Sequence, residues 1–209
     1  MKPNPLLLMK NIPVTACMLQ NLYKDLKSPE EKIRALEKDG QLIRLKRGLY
    51  VVNSQLSGME TSKALCANHI YGPSYLSLNW ALRHYGLIPE RVFSLTSVTT
   101  KRSRVFQNDL GRFTYYQTVP GYFSIGITSC NENGVCYLLA SPEKALCDMI
   151  LYDNYLPDRS ITALETYLEE DLRFDTDALR DFDAKIIEQC AAQGRKKGIL
   201  NNLVKIVKQ

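Results

Sequence analysis

The most concentrated basic chemistry of the chain lies in a short segment near the N-terminus. Arg44, Lys46 and Arg47 fall within four residues, directly before a glycine. Guanidinium and ammonium groups bind phosphate through charge-assisted hydrogen bonds, and glycine allows the positive φ that a tight turn requires. Residues 41–45 and 49–52 on either side are mostly apolar, which is typical of two strands joined by such a turn. The pattern predicts a β-hairpin whose basic tip suits a polyanion.

A second basic group occurs near the middle of the chain. Lys101, Arg102 and Arg104 lie within four residues at the end of a predicted strand, and Arg112 follows the next turn. These side chains are a candidate contact for an effector or an anion, such as a phosphate, RNA or an acidic protein face. A solvated mobile loop accounts for the same composition equally well.

Paired carboxylates and histidines are the other residues whose types suggest chemistry. Two Asp-x-Asp pairs begin at Asp175 and Asp181, and such pairs can hold Mg²⁺ in nucleotidyl transfer. Apolar residues recur around them at helical spacing, so a solvated helix face is the preferred interpretation. His69 and His84 lack ligand spacing, and neither a nucleophile elbow nor a phosphate-binding glycine motif is present. We therefore expect no enzymatic activity, no metal site and no cofactor.

Composition and charge distribution narrow the class of protein. The 209 residues contain no apolar run of bilayer length, so we expect a cytoplasmic protein without membrane contact. The six cysteines form neither a CxxC pair nor a cluster with metal-ligand spacing. We therefore expect them to be small buried hydrophobic residues. Residues 1–58 hold ten basic and five acidic side chains, whereas residues 151–194 hold four and eleven. A basic N-terminal module suits a polyanion, and an acidic region does not contact phosphates.

Helix signals precede the basic hairpin. Apolar residues recur every four positions within residues 11–26, which predicts a first helix. Ser28 as a capping residue, Pro29 at the first helical position and Gly40 as a left-handed stop predict a second helix. Two helices followed by a hairpin is the order of parts in a winged helix-turn-helix. There the second helix enters the major groove and the hairpin tip lies along the phosphate backbone.

Double-stranded DNA is therefore the first partner to consider. The wing would contribute Arg44, Lys46 and Arg47, and the second helix and its start would contribute Lys27, Ser28, Lys32, Arg34 and Lys38. Glu30 and Glu31 in the first turn stabilise the helix dipole but repel phosphate, which leaves the reading of base sequence unassigned. The alternative is a protein-interaction module without specific DNA binding, in which the basic hairpin meets an acidic partner.

The remainder of the chain predicts helices around a sheet. A polar linker at 53–58 precedes a helix over 60–71 and another that starts at Ser74 or Ser77 and runs through Tyr85. Strands are then expected at 92–98, 112–119, 122–128 and 135–140. The short turns between these strands imply antiparallel neighbours. A helix begins at Ser141-Pro142-Glu143 and runs to about Tyr152, and three more follow near 160–170, 176–192 and 196–207.

The predicted fold class is accordingly α+β. Residues 1–56 are expected to form the winged helix-turn-helix. Residues 57–209 are expected to form an α+β domain with a mainly antiparallel sheet and C-terminal helices.

Several segments resemble one known family in the same order. KIRALEKDGQLIRLKRGLYVV resembles the N-terminal winged helix of the AbiEi family, the antitoxins of type IV abortive-infection toxin–antitoxin systems. That family's second domain is similar to three further segments: YGPSYLSLNWALRHYGLIPERVFSLTSVTTKRSRVF, GRFTYYQTVPGYFSIGI and LLASPEKALCDMI. The resemblance runs from about residue 10 to residue 152.

The resemblance implies a cytoplasmic transcriptional autorepressor that binds repeats in its own promoter. It also implies an antitoxin domain that counters a nucleotidyltransferase-type toxin, which in the family is usually antagonism without a stable complex. The positions that match are Arg44, Lys46, Arg47 and Tyr50 in the wing, and Lys32, Arg34 and Lys38 in the helix. The Lys101–Arg104 segment falls in a matched stretch but carries no family-wide role.

Overall fold

The computed structural model describes residues 4–154 and 160–209 of the chain. Helices pack around two β-sheets, so the α+β class is confirmed. A three-stranded antiparallel sheet lies in the N-terminal part, and a six-stranded mixed sheet lies in the part that follows. Among the described residues, no helix has both the length and the apolar character required to cross a bilayer.

The N-terminal part is built from short elements. After a 3-10 turn at Pro5–Met9, they are β1 (Val14–Thr15), α1 (Ala16–Leu22), α2 (Pro29–Lys38), β2 (Leu42–Lys46) and β3 (Leu49–Val52). The predicted helix over 11–26 is wrong at both ends. Val14 pairs with Tyr50 as a strand residue, and the Thr15 side chain then caps α1 by accepting a bond from the Met18 amide. Pairing with β3 therefore overrides the helical periodicity of these residues.

Helix α2 follows the predicted signals closely. Pro29 occupies the first turn, and Gly40 adopts φ +70° just after the helix end. The Gln41 amide donates to the Leu36 carbonyl and the Gly40 amide to the Glu37 carbonyl, which is the Schellman pattern of helix termination. The expected capping bond from the Ser28 side chain is not formed.

The second part begins with α3 (Ser54–Ser57) inside the predicted linker and continues into the mixed sheet. Its further elements are α4 (Lys63–Ile70), β4 (Ser74–Leu76), α5 (Leu78–His84), β5 (Ser94–Thr99), β6 (Arg104–Asn108), β7 (Gly111–Gln117), α6 (Pro120–Phe123), β8 (Ile127–Glu132), β9 (Val135–Ala140) and α7 (Pro142–Tyr152). After the gap come α8 (Ile161–Thr166), a π-helical turn at Tyr167–Asp171, a 3-10 segment at Thr176–Asp181, α9 (Ala184–Gln193) and α10 (Lys197–Val207).

The sheet differs from the predicted one in strand order and direction. The order is β6-β7-β5-β4-β9-β8, with β5 and β7 parallel and β4 and β9 parallel. Strand β6 comes between β5 and β7 in the chain, so β7 returns in the direction of β5. The predicted strand over 122–128 is also wrong, because Pro120 opens the short helix α6 and β8 starts only at Ile127. The mainly antiparallel expectation is thus corrected to a mixed sheet.

The hairpin of β2 and β3 contributes to two hydrophobic cores. Leu42, Tyr50 and Val52 pack in a small core with α1 and α2. The opposite face of the hairpin joins the large core of the second part through Leu45, Leu49 and Val51. The hairpin lies before the predicted domain boundary between residues 56 and 57, yet its side chains pack in the cores on both sides of that boundary.

The cysteines divide into three groups, one of which is Cys130 alone at intermediate exposure. Cys66, Cys147 and Cys190 are buried, as predicted, whereas Cys17 and Cys136 are exposed, which corrects the expectation for these two. All six are free thiols.

Candidate nucleic-acid interface

The hairpin tip is short and anchored. Lys46 pairs with Leu49, so the turn between the strands contains only Arg47 and Gly48. Gly48 adopts φ +77°, as the predicted turn requires. Its carbonyl accepts a 2.9 Å hydrogen bond from the Ala16 amide at the start of α1. Arg47 thus projects from a backbone that is tied to the neighbouring helix.

Three of the predicted arginines meet in one groove. Arg34 of α2, Arg44 of β2 and Arg47 of the turn line a depression between α1, α2 and the hairpin, which we call the N-terminal groove. Glu30 and Glu37 also line it. Because these residues come from separate elements, the groove depends on the packing of α2 against the hairpin.

The two carboxylates of the groove already have partners in the protein. Arg44 lies 3.7 Å from Glu37, and their side chains are 48% and 32% exposed. The Gln20 amide donates to Glu30 at 3.2 Å. Within residues 4–154 and 160–209, neither Arg34 nor Arg47 forms a salt bridge. The groove therefore presents two exposed guanidinium groups that form no salt bridge within the described residues, and its three arginines exceed its two carboxylates by one charge.

The other predicted positions on α2 do not all share this groove. Lys27 and Ser28 line a neighbouring depression together with Arg34. Lys32 is exposed but lies two residues from Arg34, about 200° around the helix, and so faces away from the groove. Lys38 is exposed at the helix end. Tyr50 is only 8% exposed, yet it forms part of the groove wall.

Lys46 points away from the groove and toward the second part of the molecule. A β-bulge between Arg44 and Lys46 shifts the strand register, so Lys46 does not follow Arg44 on the same face. Its Nζ donates a 2.6 Å hydrogen bond to the Ile70 carbonyl at the end of α4. Burial lowers the pKa of the Lys46 ammonium, and the charges of Lys101 and Arg104 lower it further. The picture of Lys46 as a free tip residue is therefore corrected.

Lys46, Lys101 and Arg104 form a group that we call the junction cluster. Lys101 donates to the Gly72 carbonyl and lies 5.2 Å from the Tyr71 ring centroid. Arg104 lies 4.9 Å from the Phe106 ring centroid. The Ile70 carbonyl at the end of α4 carries partial negative charge, which favours the Lys46 ammonium there.

The remaining members of the predicted second basic group stay outside the junction cluster. Arg102 is exposed. Arg112 pairs with Gln107, three residues along β6 from Arg104, which places it about 10 Å further along the sheet edge. The four carboxylates of the two Asp-x-Asp pairs are exposed on and around the 3-10 segment at Thr176–Asp181.

A buried polar cluster in the second part was missed by sequence reasoning. Lys144 and Asp148 of α7 lie 3.5 Å apart with fully buried side chains. Asp148 also accepts hydrogen bonds from the hydroxyls of Tyr75 (3.1 Å), Ser77 (2.6 Å) and Tyr122 (2.7 Å). Burial raises the pKa of the Asp148 carboxyl, while Lys144 and the three hydroxyl donors oppose that shift. The only sequence signal was a Lys and an Asp four residues apart in a helix whose other residues, apart from Glu143, are largely apolar.

The lysine of this cluster is equally well bound. Its Nζ donates to the Tyr122 carbonyl at 2.9 Å and lies 3.0 Å from the centroid of the Tyr122 ring. With both charges paired and hydrogen-bonded, the cluster joins α7, α6 and β4 and is suited to holding the fold together.

Comparison with known proteins adds no assignment. No protein-family model matches the chain, and no curated protein matches it.

Proposed function

We propose that this chain is a DNA-binding transcriptional autorepressor whose N-terminal region is a winged helix-turn-helix. The observation that carries the proposal is the N-terminal groove, in which Arg34 and Arg47 face solvent without an acidic partner among the described residues. Guanidinium groups bind phosphate in a bidentate manner, and Arg also pairs with guanine edges in the major groove.

The order of elements supports the same proposal. The chain runs through the short strand β1, the two helices α1 and α2, and then the hairpin, and β1 pairs with the hairpin strand β3. Helix α2 thereby lies close to the turn that carries Arg47. In a winged helix-turn-helix the second helix enters the major groove while neighbouring elements contact the backbone. Arg34 is then the base-reading candidate, and Arg44 and Arg47 are phosphate contacts.

The acidic residues of the groove shape this assignment. Arg44 exchanges Glu37 for a phosphate when DNA binds, at small cost, because an exposed ion pair contributes little in water. Glu30 keeps its bond to Gln20. The DNA backbone is therefore expected to approach from the side of Arg47 rather than over the first turn of α2.

We propose in addition that the second region, residues 57–209, acts as an antitoxin against a nucleotidyltransferase-type toxin. This part rests on the ordered resemblance of its segments. One structural observation supports treating them as one unit: each of the three segments contributes to the buried polar cluster, through Tyr75, Tyr122 and Lys144 respectively. Lys101, Arg102, Arg104 and Arg112 are the candidate effector contacts, and a direct complex with the toxin is not required.

DNA binding is tested by mobility shift with the duplex upstream of the chain's own reading frame and with a scrambled duplex of equal length. At low salt the full chain should shift the upstream duplex at lower concentration than the scrambled one. Arg34→Gln should reduce that preference, since a base contact contributes about 1–3 kcal/mol of discrimination. Lys185→Gln, an exposed cation on α9, is the matched control. No shift at low salt would instead favour a module that binds an acidic protein partner.

The antitoxin role is tested by sequencing the reading frames that flank the chain's own, where the proposal expects a nucleotidyltransferase, and by co-expressing that enzyme with the chain. Growth arrest by that enzyme should be relieved by the full chain. Relief should persist in the Arg34→Gln variant, because the two roles are assigned to different regions. Continued arrest at full expression of the chain would reject the antitoxin assignment without touching DNA binding.

A further inference from the structure

A cleft in the second part is built from four separate segments of the chain. It has a volume of about 280 Å³ and lies among the end of β7, helix α6, the end of α7 and the connection between α9 and α10. Its principal side chains are Tyr116, Thr118, Tyr152, Gln193 and Arg195, and we call it the tyrosine cleft. A volume of this size approaches the lower end of small-ligand sites.

One wall of the tyrosine cleft is aromatic. The rings of Tyr116 and Tyr152 lie 5.0 Å apart between centroids, with an angle of 34° between their planes. The Tyr152 hydroxyl donates to the Gln117 carbonyl at 2.8 Å, which fixes the orientation of its ring. Half-buried rings held in place offer a planar apolar surface against which another ring can stack.

The floor of the cleft rests on the buried polar cluster. Tyr122 lines the cleft and is held by its bond to Asp148 and by Lys144 below its ring. A Cβ atom on Gly194 would lie 2.7 Å from the Cys190 carbonyl oxygen and 3.3 Å from the Tyr122 ring. A Cβ atom on Gly121 would lie 2.9 Å from the Gln193 amide oxygen. Because Gly194 lies against backbone and the Tyr122 ring, a side chain there would push the connection between α9 and α10 away from the floor, whereas Gly121 approaches only the flexible end of Gln193.

The described residues that line the cleft carry a net positive charge. Arg195 is the charged residue among those that line it, and no carboxylate of the described chain lies within salt-bridge distance of it. This is notable because residues 151–194 carry eleven acidic side chains. A guanidinium that has no salt bridge within the described part of the chain can bind a phosphate, and amide side chains both donate to and accept from the edge of a base.

We propose that the tyrosine cleft binds a nucleoside monophosphate, with the base against Tyr116 and Tyr152 and the phosphate on Arg195. Gln193 then contacts the base or sugar, and Thr118 contributes a hydroxyl. This site is separate from the N-terminal groove and does not depend on DNA binding.

The test is calorimetric titration of the full chain with AMP, GMP, CMP and UMP, with the matching nucleosides and with inorganic phosphate. At least one nucleotide should bind more tightly than its nucleoside and than phosphate alone. Arg195→Gln should weaken that binding about tenfold through loss of a charge-assisted contact, and Tyr116→Leu should weaken it by a similar factor through loss of stacking.

Two controls locate the site. Arg180→Gln replaces an exposed arginine of the same acidic region and should leave nucleotide affinity unchanged. The double substitution Arg34→Gln and Arg47→Gln should also leave it unchanged, since those residues belong to the N-terminal groove. No heat of binding at millimolar nucleotide, or equal affinity in wild type and in folded Arg195→Gln and Tyr116→Leu variants, would overturn the proposal.

Discussion

Two contacts of similar length show how differently the two parts of the molecule use charge. Lys144 and Asp148 lie 3.5 Å apart with no side-chain exposure, and Arg44 and Glu37 lie 3.7 Å apart with about half and one third of their side chains exposed. The buried pair is surrounded by hydroxyl donors and an aromatic ring, so its geometry is fixed. The exposed pair is bathed in water, so either partner can be exchanged. The Lys144–Asp148 pair is therefore a fixed part of the fold, whereas the Arg44–Glu37 pair can be exchanged for a ligand.

The distinction between the buried and the exposed ion pair requires that loss of the Asp148 carboxylate strongly lowers the free energy of unfolding. Asp148→Asn keeps the shape of the side chain but leaves Lys144 buried without a counter-charge, and should lower the free energy of unfolding by about 3–5 kcal/mol. Glu37→Gln, the equivalent change in the exposed pair, should alter it by less than about 0.5 kcal/mol. Urea unfolding followed by circular dichroism measures both. Similar losses in the two variants would contradict the distinction.

A second prediction concerns the hairpin that joins the two cores. Leu45 is 2% exposed and packs in the large core, so Leu45→Ala should lower the free energy of unfolding by about 2–4 kcal/mol. Trp80, the single tryptophan, lies on α5 in the second part and reports that part by fluorescence. Its urea midpoint should fall in the variant, because the hairpin and the second part unfold together.

The control for this substitution is Leu8→Ala, since Leu8 is 75% exposed. It should leave the Trp80 transition within about 0.5 kcal/mol of wild type. If Leu45→Ala also left that transition unchanged, the hairpin would be energetically independent of the second part.

A smaller difference in stability and in DNA affinity is expected between substitutions of the neighbouring residues Lys46 and Arg47. Lys46→Gln removes the bond to the Ile70 carbonyl but also relieves repulsion from Lys101 and Arg104, so it should cost about 1 kcal/mol of stability. Arg47→Gln should cost less stability and more DNA affinity. Thermal unfolding measures the stability of the two variants, and fluorescence anisotropy with labelled duplex measures their DNA affinity. The opposite ranking would restore Lys46 as a free wing contact.

Local signals were sufficient for the parts of the fold that local chemistry determines. Pro29 and Gly40 delimit α2, and Gly48 forms the turn, since each residue acts through its own backbone conformation. Strand β6 escaped prediction because an exposed edge strand carries little apolar periodicity. The parallel pairing of β5 with β7 follows from that strand and from contacts distant in sequence.

The candidate sites show the same limit. Arg34, Arg44 and Arg47 were predicted from residue type and do line one groove. Lys46 lies outside this groove because of a β-bulge, which residue types alone do not predict. A Lys and an Asp four residues apart are typical of a solvated helix face, so their burial on α7 becomes visible only once Tyr75 and Tyr122 are brought against them. The tyrosine cleft likewise requires four segments to converge.

The most direct measurement of the central claim is the salt dependence of binding to the upstream duplex. Each phosphate contact adds about 0.9 to the slope of log affinity against log salt, so the wild-type affinity should fall steeply as salt rises. The double variant Arg44→Gln and Arg47→Gln should bind more weakly, with a slope shallower by about 1.8 per protomer. An equal slope in the two proteins would remove the N-terminal groove from DNA binding.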